Sequence, residues 1–313
     1  MKIKIFYIAL VLFTVSCRPK PLEITLDAAP QKLVIASQVV PDNVLGVLVT
    51  RSFPALEHNI FVSGTNNVSQ GFIDQVIVEN AIVTVTYAGT TDTLYAVDTI
   101  PGLYVSVSTL QIPYEKYELN VYDPVLNESV SAVSSMLKGV EFDTVYPVVQ
   151  NNNSVRLKYA FKDFVGPNYY LLNVYKASSN NNLANLDVNS FPFASGKNEL
   201  IQSVLINDIV YNTTSISSEI ELNGIVSSDT IGVTLAHISE GYFRFLSAQG
   251  KINGLIGQFF REPVNVPTNV TNGYGYFSAY DPDVKVIDVN QYWKFVKKKS
   301  RSNSGFFFIL KEY

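Results

Sequence analysis

The chain has 313 residues, of which 47% are hydrophobic and only 16% are charged. Disordered chains combine low hydrophobicity with high charge, so this composition excludes that class. The formal charge of −4 includes no basic excess, which argues against nucleic-acid binding. One cysteine and two histidines, His58 and His237, exclude a disulfide framework within the chain and argue against a metal site. We therefore predict neither a metal nor another cofactor.

The first 17 residues have the pattern of a lipoprotein signal peptide. Lys2 and Lys4 precede an apolar run of about 11 residues, Ile5–Val15, which is too short to span a bilayer. Ser16 then precedes Cys17, and a small residue before a cysteine at this position resembles a bacterial lipobox. We predict cleavage before Cys17 and acylation of its thiol, for example with palmitate, which would anchor the protein stably in lipid. An ordinary secretory signal peptide is the alternative, because the aliphatic residue usual three positions before the cysteine is missing.

Residues 18–30 contain three prolines and are predicted to be an extended tether. Surface-exported lipoproteins often carry acidic residues directly after the cysteine, whereas Arg18 and Lys20 follow it here. We predict lipid anchoring through Cys17 and leave a periplasmic and a surface location as alternatives.

The rest of the chain is predicted to be all-β and mainly antiparallel, with two β-sandwich-like domains. Runs of β-branched and aromatic residues alternate with turns at spacings of 8–12 residues. The first domain, residues 31–138, is predicted to be immunoglobulin-like or carboxypeptidase-regulatory-like. Ser131–Val140 could be one helical turn or an edge strand. The remaining predicted strands of this domain are Lys32–Val39, Leu45–Arg51, Val76–Tyr87, Thr93–Val97, Leu103–Ser108 and Tyr117–Tyr122.

The second predicted domain, residues 139–290, is β-rich with one short helix near 239–250. Ser239 can cap that helix, and Gly250 can end it. The simplest interpretation is a helix that lies against a sheet. Residues 291–313 are assigned to a C-terminal extension. The predicted strands of the second domain are Val155–Phe161, Tyr169–Tyr175, Leu200–Val210, Ser217–Leu222, Thr230–Ala236 and Asp281–Val289.

The sequence contains no motif that predicts catalysis. A nucleophile elbow and a phosphate-binding loop are both missing. His58 lies in a predicted loop, and His237 precedes the helix, where an imidazole commonly satisfies a backbone group. We predict that the protein is not an enzyme. A carboxylate-dependent hydrolase remains the least favoured alternative, because the separation of two carboxylates is not visible in a sequence.

The block from Glu262 to Tyr280 carries the most specific motif. Gly275 allows close backbone approach there, and the alternating aromatic residues favour either a packed strand or a partner-facing loop. Its candidate partner-facing residues are Asn272, Gly273, Tyr274, Gly275 and Tyr276.

This block resembles the closing motif of the DUF4249 lipoproteins. Its Asn-Gly-Tyr-Gly-Tyr-Phe-Ser-Ala-Tyr ending follows a helix of the Ser-x-x-Tyr-x-Phe-Leu kind. Ala36 and Ser37 stand where that family usually has an acidic residue and glycine. Weaker similarity extends over Lys32–Val40, Val47–Phe53 with its Thr-Arg-Ser ending, Val78–Val85, Pro101–Tyr104 and Tyr117–Val121.

The resemblance implies an outer-membrane lipoprotein of Bacteroidota, often encoded beside a TonB-dependent receptor, without established enzyme activity. We therefore expect a lipid-anchored accessory protein that docks on such a receptor in ligand capture or uptake. The alternative is a structural or adhesive envelope protein that binds polymer without a transporter.

Overall fold

The computed structural model describes residues 30–40, 44–53, 70–98, 100–177, 198–209, 214–249 and 266–293. Cys17, His58 and the segments 18–29 and 294–313 lie outside these ranges. The described elements are β1 (Leu33–Val40), β2 (Val44–Arg51), α1 (Gln70–Val76), β3 (Ile82–Tyr87), β4 (Thr90–Ala96), β5 (Leu103–Ser106), β6 (Lys116–Asp123), β7 (Glu128–Ser135), β8 (Phe142–Asn151), β9 (Ser154–Lys162), β10 (Tyr169–Ala177), β11 (Asn198–Asn207), β12 (Ser215–Asn223), β13 (Thr230–Ile238), α2 (Glu240–Gln249), β14 (Val270–Thr271), β15 (Tyr274–Tyr276) and β16 (Pro282–Asp288).

The predicted fold class, all-β and mainly antiparallel, is confirmed, and two details of the element predictions differ. The strand predicted from Val76 begins only at Ile82, because Val76 ends α1. That short helix forms because Phe72 and Val76, four residues apart, share one face and pack against Phe53. The second difference is β8, which was not predicted. Of the two alternatives for Ser131–Val140, the strand is present, since residues 131–135 belong to β7.

The first sheet contains nine strands in the order β14-β7-β6-β3-β4-β5-β2-β1-β15. Its named strand pairs are antiparallel except for β1 with β15, which run parallel. Side chains alternate across each strand, so one side of the sheet is apolar. Members from both halves of the sheet, such as Val47, Val49, Leu119 and Val121, share one buried core. The sheet therefore folds around its own apolar face.

The second β-structure contains a four-stranded sheet, β11-β10-β13-β16, and a three-stranded sheet, β12-β9-β8. Leu157 and Phe161 of β9 are buried against Leu172 of β10 and Val233 of β13 in a second core. The two sheets thus form a sandwich, as packed antiparallel sheets commonly do.

The two β-structures are connected by apolar contact at one face of the four-stranded sheet. Leu171 of β10 and Ile238 of β13 belong to the first core, and Tyr242 and Phe245 of α2 belong to it as well. Residues 266–280 differ from the predicted domain boundary, because β14 and β15 pair with β7 and β1 of the first sheet. The described residues from 31 onward accordingly belong to a single compact unit.

Candidate functional site

The predicted partner-facing motif closes the first sheet. β14 pairs with β7 at one edge, and β15 pairs with β1 at the other, so the residues between them join both edges. Asn272 is exposed and has a left-handed backbone with a φ of 63°. Tyr274 and Tyr276 are half-buried, and Gly275 is buried.

Two glycines of the motif occupy positions where a side chain does not fit. A Cβ on Gly273 would lie 2.6 Å from the Leu33 carbonyl oxygen and 2.8 Å from Val130 Cγ1. A Cβ on Gly275 would overlap the Ile35 carbonyl oxygen, and the φ of Gly275 is +92°. The prediction that Gly275 permits close backbone approach is therefore confirmed. These glycines let the motif lie between β1 and β7.

Hydrogen bonds fix the chain around this closure. Asn269 Nδ2 donates to the carbonyl oxygens of Val133, at 2.8 Å, and Phe277, at 2.7 Å. The Phe277 N–H donates to Asn269 Oδ1 at 2.9 Å, and the Ser278 N–H donates to Ser37 Oγ at 2.6 Å. Ser37 is one of the two residues that depart from the family motif. Its hydroxyl also donates to the Ser278 carbonyl oxygen at 3.1 Å. The Ser37 side chain therefore bonds to both main-chain polar groups of Ser278, as the backbone of a neighbouring strand would.

Tyr276 connects the closure to α2. Its ring lies 5.4 Å from the Tyr242 ring and 5.3 Å from the Phe245 ring, measured between centroids. A Cβ on Gly241 would overlap the Tyr276 hydroxyl, so Gly241 allows the helix to approach. Burial raises the pKa of Tyr242 above its ordinary value, which keeps this phenol neutral. Most of the motif therefore packs inside the molecule, and Asn272 is its exposed residue.

Arg51, in the Thr-Arg-Ser segment, also has a structural contact. Its guanidinium donates to Asp123 Oδ2 from Nε at 2.9 Å and from Nη2 at 2.7 Å. Asp123 is fully buried, so this two-pronged contact neutralises a carboxylate that has no access to water.

A second buried polar cluster lies beside β10. The Asn168 N–H donates to Asp208 Oδ1 at 2.5 Å, and the Tyr170 hydroxyl donates to the Asp163 carboxyl. Burial raises the pKa of Asp163, and the neighbouring Asp208 carboxyl raises it further through hydrogen bonding and like charge.

His237 lies next to this cluster. Its Nδ1 is 3.2 Å from the Lys138 carbonyl oxygen, and its ring lies against those of Phe164 and Tyr170. Burial lowers the pKa of the His237 imidazole below its ordinary value. A neutral ring that donates to a backbone carbonyl matches the predicted structural role of this histidine.

An open groove of about 490 Å³ separates the edges of the two sheets in the second sandwich. Strand β8 ends one sheet and β16 ends the other, and an isolated bridge between Val140 and Pro282 joins them at one end. Among the described strands, neither has a second full neighbour. Their outward N–H and C=O groups can therefore bind an extended chain by main-chain hydrogen bonding.

The walls of this groove combine apolar anchors with acidic groups. Tyr146 is 41% exposed and Val286 is 46% exposed, and both line the groove. Lys285 is bound to Asp283 at 2.8 Å, whereas Asp143 and Asp288 add negative charge. The groove therefore suits an extended segment that carries apolar and basic side chains.

Sequence reasoning missed the groove because it missed β8. Pro147 interrupts the run Val145–Val149, and proline usually argues against a strand. Proline is tolerated at a sheet edge, where its missing N–H faces away from the neighbouring strand. The β-forming residues on both sides of Pro147 were the signal that could have identified an edge strand.

The described ranges contain neither a metal-binding cluster nor a membrane-spanning helix. Within them, no group of three or more His, Cys, Asp and Glu side chains is placed to hold a metal ion. No helix in the described part of the chain is both long and apolar enough to cross a bilayer.

The fold and the groove define a β-sandwich protein with two open strand edges beside a groove. The chain belongs to the DUF4249 family, a domain of unknown function, whose model matches residues 19–285. The predicted family is therefore confirmed. No curated protein sequence matches the chain.

Solved structures with similar β-domains include a cytokine receptor complex, at 8% identity and a TM-score of 0.23, covering 82% of this chain and 96% of that one. The chicken CNTN1 FN1–FN3 domains match at 10% identity and a TM-score of 0.23, covering 83% and 68%. A two-domain fibronectin type-III segment from chicken tenascin matches at 7% identity and a TM-score of 0.22, covering 82% and 99%.

Proposed function

We propose that this protein is a lipid-anchored, non-enzymatic accessory protein of the cell outer membrane. In this proposal it binds an extended segment of a membrane partner, of the TonB-dependent receptor class, in ligand capture or uptake. The observation that carries the proposal is the groove between β8 and β16, in which two unpaired strand edges face the same open space. The family resemblance supplies the class of partner.

The chemistry of the groove supports an added strand as the bound element. An extended peptide can hydrogen-bond to the edge of β8 over residues 143–146, because the Phe142 N–H already donates to Asp283 Oδ2 and Pro147 interrupts the pattern of donors. Tyr146 and Val286 offer apolar contacts, and Asp143 favours a basic side chain nearby. Backbone pairing gives affinity in this mode, and the side-chain contacts give specificity.

The proposed anchor fits this role. Acylated Cys17 would hold the chain in the membrane, and residues 18–30 would reach up to about 45 Å if fully extended. Such a tether would let the folded body meet a receptor in the same membrane without diffusing away.

Labelled palmitate tests the anchor. We expect label to enter the wild-type chain but not the Cys17→Ser variant, and we expect that variant to leave the outer-membrane fraction. Unlabelled wild-type protein, with unchanged fractionation of Cys17→Ser, would overturn the anchoring part of the proposal.

Reversible crosslinking followed by purification from detergent-solubilised outer membranes tests the partner. The double variant Asp143→Lys/Tyr146→Ala changes charge and contact in the groove, and Glu221→Lys is a matched change on exposed strand β12. We expect wild type and Glu221→Lys to recover a TonB-dependent receptor, and the groove variant to recover at least tenfold less. Wild-type protein recovered alone would contradict the proposal.

A further inference from the structure

A row of uncharged polar side chains crosses the outer face of the first sheet. Strand register places Thr93 beside Thr84, Thr84 beside Asn120, Asn120 beside Ser131, and Ser131 beside Thr271. The row spans five adjacent strands, or roughly 19 Å at the usual strand spacing. All five residues are exposed or half-exposed. We call them the hydroxyl row.

A second row lies two residues further along the strands, on the same face of the sheet. Ile82 is 58% exposed and pairs with Tyr122, while Tyr95 on the neighbouring strand is 71% exposed. Alternate residues of a strand share one face. Tyr95, two residues after Thr93, and Ile82, two residues before Thr84, therefore lie on the surface that carries the hydroxyl row. Exposed apolar surface of Ile82 and Tyr95 therefore lies beside the hydroxyl and amide groups of the row.

Neither row contains a charged residue, although the whole chain carries a net charge of −4. The nearest charges on this face, Lys116 and Glu118, form an ion pair at 2.5 Å and offset each other. The structure shows no hydrogen bond from the five side chains of the hydroxyl row to other described residues. Their donors and acceptors are therefore available to a bound molecule or to solvent.

We propose that this face binds a neutral polysaccharide. Sugar rings have apolar faces that can cover Tyr95 and Ile82, and hydroxyl edges that can hydrogen-bond to Thr, Asn and Ser side chains. An uncharged, hydroxyl-rich surface matches an uncharged polymer in charge and in hydrogen-bonding capacity. A protein partner would have to satisfy each of these polar groups or bury it at a cost.

This binding face goes beyond the proposed function, because it uses neither the groove nor the lipid anchor. The strands that line the groove, β8 and β16, belong to other sheets. A polymer bound here would be held by the first β-structure while the second remains available for a membrane partner.

Affinity electrophoresis of the full mature chain in detergent tests the proposal. The probes are dextran, mannan and laminarin as neutral polysaccharides, and polygalacturonate as an anionic one. Thr93→Lys and Asn120→Lys each place a long charged side chain in the row at an exposed site. Ser217→Lys is the matched control, since Ser217 is exposed on β12. Thermal unfolding of each variant establishes that it is folded, and Thr93→Ala replaces any lysine variant that is not.

We expect at least one neutral polysaccharide to retard the wild-type protein, and each row variant to bind it at least tenfold more weakly. Ser217→Lys and the groove variant Asp143→Lys/Tyr146→Ala should bind as wild type does. Binding to none of the neutral probes, or to polygalacturonate alone, would overturn the proposal. Equal binding by the row variants would overturn it too, as would loss of a crosslinked protein partner from those variants with no change in polymer binding.

Discussion

At the scale of single residues, Gly275 is the position where the closing motif tolerates least change. Its positive φ and its approach to the Ile35 carbonyl oxygen both exclude a side chain. We expect Gly275→Ala to lower the free energy of unfolding by about 3 kcal/mol or more, because backbone strain and overpacking add together. Urea denaturation of the purified chain measures this loss.

Gly224 provides the matched control for that substitution. It also has a positive φ, of +77°, but no atom lies within 4 Å of the position that a Cβ would occupy. Gly224→Ala should therefore cost only the backbone strain, about 1–2 kcal/mol. Equal losses at the two positions would show that close approach to β1 does not constrain Gly275.

The pair of Asp163 and Asp208 predicts a specific pH dependence. The pKa of Asp163 is raised in the folded state by burial and by Asp208, so the folded protein binds this proton more tightly than the unfolded chain does. The contribution of this bound proton to folding stability is complete below the ordinary pKa of 3.8. It is lost as the pH rises through the raised pKa of Asp163. The Asp163→Asn variant has no such titration, and its side-chain oxygen can still accept from Tyr170.

We therefore expect Asp163→Asn to gain stability relative to wild type as the pH increases from 3 to 7. Urea midpoints at several pH values provide the measurement. His237 is present in both proteins, so its own titration affects both curves. A difference in stability between wild type and Asp163→Asn that stays constant from pH 3 to 7 would contradict the expectation.

Some of these residue contacts could be anticipated and others could not. Gly275 followed from its residue type, because only glycine permits that backbone approach. The bond between Ser37 and Ser278 joins residues 241 positions apart, and nothing in their local sequence indicates that they meet. The same limit applies to Arg51 with Asp123, since a buried ion pair depends on register between distant strands.

At the scale of elements, α2 is held mainly by aromatic contacts. Tyr242 packs with its ring centroid 5.4 Å from that of Tyr276 and 5.9 Å from that of Tyr280. We expect Tyr242→Ala to cost about 3–5 kcal/mol, as deletion of a buried aromatic ring commonly does. Denaturant unfolding followed by circular dichroism measures this cost.

The exposed ion pair of the same helix is the control for Tyr242. Arg244 binds Glu240 at 2.5 Å on the solvent side, where such pairs contribute about 0.3–0.5 kcal/mol. Arg244→Ala should therefore change the free energy of unfolding by less than about 1 kcal/mol. A comparable loss in both variants would mean that helix formation itself, rather than aromatic packing, limits stability.

Element predictions succeeded where local pattern and tertiary packing agree. The helix near 239–250 and the strand around Val155–Phe161 carry their own signals, a cap and a strict alternation, and both are present. The predicted strand start at Val76 was wrong because contact with Phe53 favours a helical turn there. Sequence alone does not show that contact, since it depends on how β2 lies in the sheet.

At the scale of the whole molecule, the chain does not divide into two consecutive pieces. Residues 266–280 follow most of the second sandwich in sequence, yet they close the first sheet and add Phe277 and Tyr280 to its core. Leu171 and Ile238 carry that core onto the four-stranded sheet. Unfolding either β-structure would therefore expose apolar surface of the other, which predicts cooperative unfolding.

The single tryptophan makes that cooperativity measurable. Trp293 is buried in the second core, so its fluorescence reports on that core. Leu119→Ala removes a buried side chain from the first core, at a cost of about 2–5 kcal/mol. If the two structures unfold together, Leu119→Ala must lower the urea midpoint of Trp293 fluorescence, as we expect of Leu157→Ala in the second core.

The midpoints from fluorescence and circular dichroism should then coincide in each variant. A Trp293 transition unmoved by Leu119→Ala, with a separate earlier change in circular dichroism, would show that the sandwiches unfold independently and that residues 266–280 add no coupling.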